Sequence, residues 1–253
     1  MDMPELPNYI DLWFVDPDTV DNAAIQQITR GLLSADELAQ SNRFRFPILR
    51  RDYLITRWLV RTILSERLSV PGQALHFAAN RYGRPYLPSF PDLSFNISHT
   101  SRLIVLAVAA EVEVGVDVEH IQTDRATPNL AEYSFAVSER AALRSVAPNN
   151  FDHAFFSYWT LKESYVKALG TGLSTALDSF SFSLEQPATI SFTSDTVDPT
   201  PPHFWLLQPS STHLCAICVR RWSQQLLLRA WTVVSLTSRV PTNVIVLRRS
   251  TFS

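Results

Sequence analysis

Several residue types are scarce in this chain of 253 residues, and each scarcity excludes a class of protein. Two cysteines cannot form a disulfide framework, which favours a reducing, cytoplasmic location. The longest apolar run, Leu103 to Ala110, is far shorter than the roughly 20 residues of a membrane-spanning helix. The first seven residues are acidic and lack the basic region of a secretory signal peptide. A formal net charge of −2 lacks the basic excess of a non-specific nucleic-acid binder, so we expect neither a nucleic-acid nor a membrane partner.

The two cysteines raise the question of a zinc or redox site. Cys215 and Cys218 form a C-x-x-C pair inside a β-like run, residues 214–219. Residues three apart on a strand face opposite sides of the sheet. The chain also has no second cysteine pair to complete a closed zinc site. We therefore predict that both cysteines are structural.

Hydrophobic periodicity predicts a mixture of helices and antiparallel-type strands, an α/β (α+β) fold. The polar, proline-containing segment 121–129 is predicted to be a loop between two halves. The basic tail from Arg239 is assigned no function. Strands are predicted at residues 9–15, 75–79, 93–98, 103–110, 114–120, 180–184, 189–192, 204–207, 214–219 and 230–236. Helices are predicted at 24–32, after a capping box at 34–37, at 50–68, from 138, and at 155–169.

Lysine is the scarcest charged residue, and its placement is informative. Of the 22 basic residues only two are lysines, Lys162 and Lys167, and they flank Glu163 in the last predicted helix. A Glu–Lys pair on a solvated helix face would contribute only about 0.2–0.5 kcal/mol and need have no function. In a chain rich in arginine, however, surface charge alone would not require lysine, whose compact ammonium can follow a phosphate oxygen. The two lysines therefore indicate a site.

A second candidate lies on the predicted strand 114–120. Valines alternate with Asp117 and Glu119, so both carboxylates share one face of the strand, with no basic partner close in sequence. Two carboxylates on one face repel each other unless a positive charge lies between them. Mg²⁺ or Mn²⁺ would satisfy them, although a solvated acidic strand edge is the simpler alternative for so short a pattern.

Two further patterns could contact phosphate. Ser98 and His99 end a predicted strand and can donate hydrogen bonds, although most lone histidines at such positions are turn residues. Arg84 lies between Gly83 and Pro85 in a predicted turn and could equally be solvated. Four of the six glycines fall in these candidate motifs, where a backbone close to a ligand or in an unusual conformation would require them.

Taken together, the motifs at Gly83–Tyr86, Phe95–His99, Gly115–Glu119 and Trp159–Leu173 resemble the 4′-phosphopantetheinyl transferase superfamily. The resemblance is to its larger type, which activates surfactin synthetase, and it runs from about Ser34 to Phe182. It implies two similar halves, residues 1–112 and 113–253, each a small, mainly antiparallel sheet packed on helices. A pseudo-twofold axis would relate the halves, with coenzyme A in the cleft between them. The implied protein is a monomer that moves the phosphopantetheine arm of coenzyme A onto a serine of an apo acyl or peptidyl carrier protein.

The resemblance also implies roles for particular residues. The N-terminal half would contact the coenzyme A phosphates, and the C-terminal half would carry the metal and catalytic groups. Glu163, Lys167 and Asp117 would be catalytic, with Glu163 as the base for the carrier serine, acting directly or through a water. The implied ligands of Mg²⁺ or Mn²⁺ are Asp117, Glu119 and Glu163, and the implied coenzyme A contacts are Arg51, Arg84, Ser98, His99, Lys162 and Lys167.

Two departures from the family pattern concern the coenzyme A contacts. Glu37 and Gln40 stand where the surfactin type has lysines, so Arg51 is assigned to the 3′-phosphate. Arg84 stands where many relatives have lysine, which keeps the charge but presents a planar fork.

Two other functions are compatible with the same residues. A metal-dependent hydrolase of nucleotide pyrophosphates would share the carboxylates and the basic residues. A non-catalytic carrier-binding module would share the fold, but it would have no need of converging charges at Asp117, Glu119, Glu163 and Lys167. A carrier protein would have to dock beside the cleft, and the segment 121–135 offers apolar residues for that contact, namely Leu130, Tyr133 and Phe135.

Overall fold

A computed structural model describes residues 9–195, 198, 200–222 and 226–251, so the acidic N-terminal segment lies outside the described residues. Among the described residues no helix is long and apolar enough to cross a membrane. The helices are α1 (Asn22–Leu32), α2 (Ala35–Ser41), α3 (Pro47–Leu68), α4 (Pro128–Ser134), α5 (Val137–Ser145) and α6 (Phe151–Leu169). The strands are β1 (Tyr9–Val15), β2 (Ala78–Ala79), β3 (Pro85–Tyr86), β4 (Leu93–Thr100), β5 (Leu103–Ala110), β6 (Glu113–His120), β7 (Phe180–Ser183), β8 (Ser191–Ser194), β9 (His203–Ser210), β10 (His213–Arg220), β11 (Leu227–Ser235), β12 (Ser238–Pro241) and β13 (Ile245–Arg249).

The first sheet has the strand order β12-β11-β1-β5-β4, and only the β1–β11 pair is parallel. Helices α1 and α3 cover one face, where Trp13, Leu54, Trp58 and Phe95 share one buried apolar cluster. Strands β11 and β12 come from the end of the chain. The first sheet therefore includes strands from beyond the boundary expected at residues 112 and 113.

The second sheet has the order β13-β9-β10-β6 and is antiparallel throughout. Helix α6 covers one face, and its predicted apolar stripe of Tyr158, Leu161 and Tyr165 is buried there. The tail that was assigned no function contributes β13, whose residues pair with β9. Its role in this structure is to complete the edge of the sheet.

The uncovered faces of the two sheets pack against each other. Leu12 and Val105 from the first sheet meet Val116, Leu207 and Ile217 from the second in one buried cluster. The layers are therefore helices, sheet, sheet and helix, which confirms a mixed α/β fold of mainly antiparallel sheets packed on helices. The pseudo-twofold relation between the halves stays a prediction.

The edge strands of the two sheets, β4 and β6, are joined through side chains. Backbone N–H groups along one edge of β6 donate to polar side chains that alternate along β4. The pairs are Val114 to Ser94 Oγ (3.0 Å), Val116 to Asn96 Oδ1 (2.9 Å), Val118 to Ser98 Oγ (3.2 Å) and His120 to Thr100 Oγ1 (3.2 Å). An exposed strand edge leaves such groups without partners, so these four side chains cover the edge of β6. We call these four pairs the β4–β6 seam.

Two local predictions have clear outcomes. Cys215 lies in the core between the sheets and Cys218 in the core beneath α6, so the two cysteines are buried on opposite faces of β10, as expected. Burial raises the pKa of both thiols. The strand predicted at 75–79 is reduced to Ala78 and Ala79, because the guanidinium of buried Arg61 donates to the Leu75 carbonyl (3.2 Å) that a strand would use.

Candidate active site

Gly115 allows α6 to lie directly on β6. A Cβ atom built at Gly115 would lie 2.1 Å from the Ser164 carbonyl oxygen and 2.4 Å from the Ala168 backbone nitrogen. Any other residue would push the helix away from the strand. The acidic face of β6 therefore meets the helix that carries Glu163 and Lys167.

Three of the predicted site residues form one hydrogen-bonded group. The Lys167 ammonium donates to Asp117 Oδ1 (2.7 Å) and to Ser98 Oγ (2.9 Å), and the Ser98 hydroxyl donates to the same Asp117 oxygen (3.0 Å). Asp117 is only 5% exposed. Its other carboxylate oxygen, Oδ2, is buried without a hydrogen-bond partner among the described residues. The group joins β4, β6 and α6, and so it joins the two halves of the chain.

Glu119 and Glu163 lie at the edge of this group. Arg125 donates to both oxygens of Glu119, at 2.8 and 3.2 Å. Burial raises the pKa of Glu119 and of Glu163, and the negative charge of Asp117 raises both further. The two glutamates are therefore in a crowded acidic environment, as their positions on facing elements predict.

Arg125 is a site residue that the sequence interpretation missed. It follows Glu119 by six residues, in the segment predicted to be a loop, and it supplies the basic partner that was thought to be absent. The sequence does show an arginine shortly after the two carboxylates Asp117 and Glu119, and this could have indicated a partner for them. In this arrangement Asp117 and Glu119 are paired with Lys167 and Arg125.

The donor set suits a hard divalent cation. Three carboxylates offer oxygen ligands only, and Asp117 Oδ2 is an acceptor that no donor among the described residues reaches. As the side chains stand, the described residues include no group of three His, Cys, Asp or Glu side chains that could hold an ion. An ion would have to compete with the Arg125 guanidinium for the Glu119 carboxylate.

Lys162 lies outside the site, in contrast to its expected contact with coenzyme A. Its side chain is 0% exposed and forms an ion pair with Glu139 at 2.8 Å. It also donates to the carbonyls of Leu177 (2.6 Å) and Phe180 (2.7 Å). Burial lowers the pKa of Lys162 and raises that of Glu139, while the attraction between them opposes both shifts. Lys162 therefore anchors the segment before β7 to α6.

Arg84, predicted to contact coenzyme A, is hydrogen-bonded to acceptors of the protein itself. Its guanidinium is at the C-terminal end of α6, where it donates to the carbonyls of Lys167 (2.7 Å) and Ala168 (2.5 Å). The Lys167 carbonyl also accepts from the backbone N–H of Gly170 (3.2 Å), and a cation is favourable at the C-terminal end of a helix. The structure thus shows Arg84 capping a helix.

The other predicted coenzyme A contacts are more dispersed. His99 is exposed and lies on the face of β4 opposite to Ser98. Arg51 forms ion pairs with Asp18 (2.8 Å) and Asp52 (3.1 Å). Glu37, at a family lysine position, caps α2 and accepts from Arg61 (2.8 Å), so it has a structural role here.

The sequence matches two family models and is similar to several named proteins. Residues 113–218 match the 4′-phosphopantetheinyl transferase superfamily, and residues 22–111 match the N-terminal part of 4′-phosphopantetheinyl transferases. A 4′-phosphopantetheinyl transferase of Bacillus subtilis is 33% identical over 63% of this chain and 70% of its own. The 4′-phosphopantetheinyl transferase HetI of Nostoc sp. is 35% identical over 68% and 75%, respectively. A crystal structure of Thermotoga maritima holo-(acyl-carrier-protein) synthase aligns with 43% of this chain and 63% of that chain, with 24% identity and a TM-score of 0.36.

Proposed function

The chain belongs to the 4′-phosphopantetheinyl transferase superfamily, and we propose that it transfers the phosphopantetheine arm of coenzyme A to a serine of an apo carrier protein. The second product is adenosine 3′,5′-bisphosphate. The observation that supports this proposal most strongly is the hydrogen-bonded group of Ser98, Asp117 and Lys167, which draws on three of the four motifs and both halves. A phosphate-transfer site needs such charged groups held in fixed positions.

In the proposed reaction, Lys167 stabilises negative charge on the pyrophosphate. Its side chain is 27% exposed, and its ammonium retains a third N–H beyond those directed at Asp117 and Ser98. Phosphoryl transfer depends mainly on such stabilisation, because little covalent help is required from the protein. Asp117 and Ser98 would keep the ammonium in place as the charge moves from the reacting phosphate to the leaving group.

Glu163 is the proposed proton acceptor for the carrier serine. A serine hydroxyl has a pKa far above neutrality, so its attack on phosphorus requires a base. Burial raises the pKa of Glu163, with a further contribution from Asp117, and this makes it a stronger base than an ordinary surface glutamate. It would take the proton directly or through a water.

We propose Mg²⁺ or Mn²⁺ as the metal, held by Asp117, Glu119 and Glu163. When bound, the ion would supply positive charge to the pyrophosphate oxygens. The unpartnered Oδ2 of Asp117 supports this proposal, since a cation would be its missing partner. Arg125 would then exchange its contact with Glu119 for solvent or a substrate phosphate.

The test is the mass of an apo carrier protein after incubation with the enzyme, coenzyme A and Mg²⁺. We expect an increase of about 340 Da, one phosphopantetheine group, and its loss when EDTA removes the metal. Asp117→Ala should abolish the increase, whereas Asp92→Ala, at an exposed aspartate before β4, should not. No mass increase with any carrier in a panel would contradict the proposal.

The same experiment separates the alternative functions. A pyrophosphate hydrolase would consume coenzyme A in the absence of a carrier protein. A non-catalytic binding module would bind carriers equally well before and after Asp117→Ala, with no transfer by either form. We expect coenzyme A to be consumed only when a carrier serine is present.

We propose that the carrier docks against α4. Leu130 and Tyr133 on this helix are 37% and 87% exposed, so they offer apolar surface next to Arg125 and Glu119 in the chain. Phe135, which was expected to join them, is instead fully buried in the core against Phe155. Leu130→Asp should weaken carrier binding, whereas Val234→Asp, at an exposed apolar residue of β11, should not. Unchanged carrier affinity in Leu130→Asp would contradict this location.

A further inference from the structure

The guanidinium of Arg84 has no terminal N–H left for a ligand. Its Nη1 donates to the carbonyls of Lys167 and Ala168, and its Nη2 donates to Ser94 Oγ (3.2 Å) and to the Val114 carbonyl (2.9 Å). Each of these nitrogens carries two hydrogens. The four acceptors lie on α6, β4 and β6, so one side chain is bonded to the three elements that form the site.

The turn that carries Arg84 is itself fixed. Asn80 Oδ1 accepts from the backbone N–H groups of Tyr82 (2.9 Å) and Arg84 (3.0 Å), and Asn80 Nδ2 donates to the Gly170 carbonyl (2.8 Å). Gly170 ends α6 with a φ of +68°, and a Cβ there would lie 2.8 Å from Arg84 Cδ. The turn at residues 80–84, which belongs to the N-terminal half, is therefore hydrogen-bonded to the C-terminal end of α6 in the other half.

Lys167 connects this turn to the reaction site. Its carbonyl accepts from Arg84, while its ammonium contacts Asp117 and Ser98. A change at Arg84 would let the end of α6 move along or rotate on β6, and Lys167 and Glu163 would move with it. Misplacement of catalytic groups by about 1 Å can lower a rate about a hundredfold.

We propose that Arg84 is a positioning residue, which sets the place of α6 on β6 and thereby aligns Lys167 with Asp117, and that it does not contact the 3′-phosphate of coenzyme A. This inference builds on the proposed transferase function. In this view the function of the Gly-Arg-Pro turn is to hold the two halves of the chain in alignment.

The test compares coenzyme A with 3′-dephospho-coenzyme A as substrates. In Arg84→Gln we expect kcat to fall about 10- to 100-fold with both substrates, with the ratio of their kcat/KM values unchanged. Arg81→Gln is the matched control, because Arg81 is exposed in the same turn and lies over the Tyr82 ring. A rise in KM for coenzyme A alone, or a loss of discrimination between the two substrates, would overturn the proposal.

A second substitution and a measurement of hydrogen exchange also test the role of Arg84. If Arg84→Gln does not fold, Arg84→Lys retains the charge but offers one nitrogen, so kcat should still fall and the discrimination should still be kept. Hydrogen exchange of the last turn of α6 should become faster in the Arg84 variants and not in Arg81→Gln, and unchanged exchange would overturn the proposal. Hydrogen exchange can be measured without any catalytic activity. It therefore tests the positioning role of Arg84 even if the wild-type protein does not transfer the phosphopantetheine arm.

Discussion

The two lysines of α6 show what residue composition can and cannot predict. Their scarcity drew attention to the right helix, and Lys167 lies in the candidate site. Lys162 is five positions earlier, which turns it by about 140° around the helix, onto the side of the buried Tyr158 and Leu161. Helical spacing alone could therefore have predicted that the two lysines lie on different sides of the helix. The partner of Lys162, Glu139, is distant in sequence and could not have been identified without the fold.

We predict that Lys162→Met destabilises the protein by about 3–5 kcal/mol, because it leaves Glu139 buried without a counter-charge. Urea unfolding measures the change. The double variant Lys162→Met/Glu139→Gln should recover part of the loss, since it removes the unpaired charge. An unchanged free energy of unfolding together with a raised KM for coenzyme A would instead place Lys162 at the substrate.

We predict that Glu163→Gln stabilises the metal-free protein at neutral pH by about 0.5–2 kcal/mol. Burial and the charge of Asp117 raise the folded-state pKa of Glu163 above its ordinary value of 4.5. The folded protein therefore holds this proton more tightly than the unfolded chain, and the resulting stability is lost as the pH rises through the raised pKa.

Urea unfolding in EDTA at neutral pH and at a pH below 4.5 tests this prediction. The difference between wild type and Glu163→Gln should be largest at neutral pH and should shrink in acid. Added Mg²⁺ should reverse it, because only the wild type keeps all three carboxylates. A Glu163→Gln protein that is less stable than the wild type at neutral pH in EDTA would contradict the repulsion between the Glu163 and Asp117 carboxylates.

At the scale of elements, the site depends on how closely α6 approaches β6. The glycine pattern predicted a backbone close to a ligand or in an unusual conformation. Gly83, Gly170 and Gly172 do have a positive φ, whereas Gly115 lies against the backbone of α6. The β4–β6 seam was not predicted. The alternation of Ser94, Asn96, Ser98 and Thr100 is visible in the sequence, but their acceptance of β6 N–H groups depends on two sheets meeting at their edges.

We predict that Gly115→Ala lowers stability by about 1–3 kcal/mol and reduces kcat, because the new methyl group would displace α6. Gly31→Ala is the matched control. Gly31 lies within α1 with open space around it, so alanine there should raise stability by about 0.5–1 kcal/mol. Urea unfolding and the transfer assay report the two effects, and a Gly115→Ala protein as stable and active as the wild type would contradict the close contact.

At the scale of the whole molecule, the last three strands tie the two halves together, because β11 and β12 join the first sheet and β13 joins the second. The sequence pattern predicted most strands and the mixed α/β class correctly, because alternation and glycine or proline boundaries are local signals. It could not predict that β11 returns to lie parallel to β1, since periodicity does not specify which sheet a strand joins. The expected division at residue 112 therefore separates the first two motifs from the last two. It does not separate the two sheets, because β11 and β12 of the C-terminal half belong to the first sheet.

We predict that a fragment of residues 1–112 does not fold alone, because it lacks β11 and leaves the β1 edge unpaired. Circular dichroism during urea titration should show no cooperative transition for this fragment, and addition of the 113–253 fragment should restore one. A cooperative transition of the isolated fragment would show that the first half folds without β11.

The most direct test of the central claim is the position of a metal ion in crystals grown with Mn²⁺ and coenzyme A. We predict an anomalous peak about 2.0–2.5 Å from oxygens of Asp117, Glu119 and Glu163, with Arg125 displaced from Glu119 and Lys167 still on Asp117. A peak elsewhere, or carboxylates that remain paired as they are here with no ion between them, would contradict it.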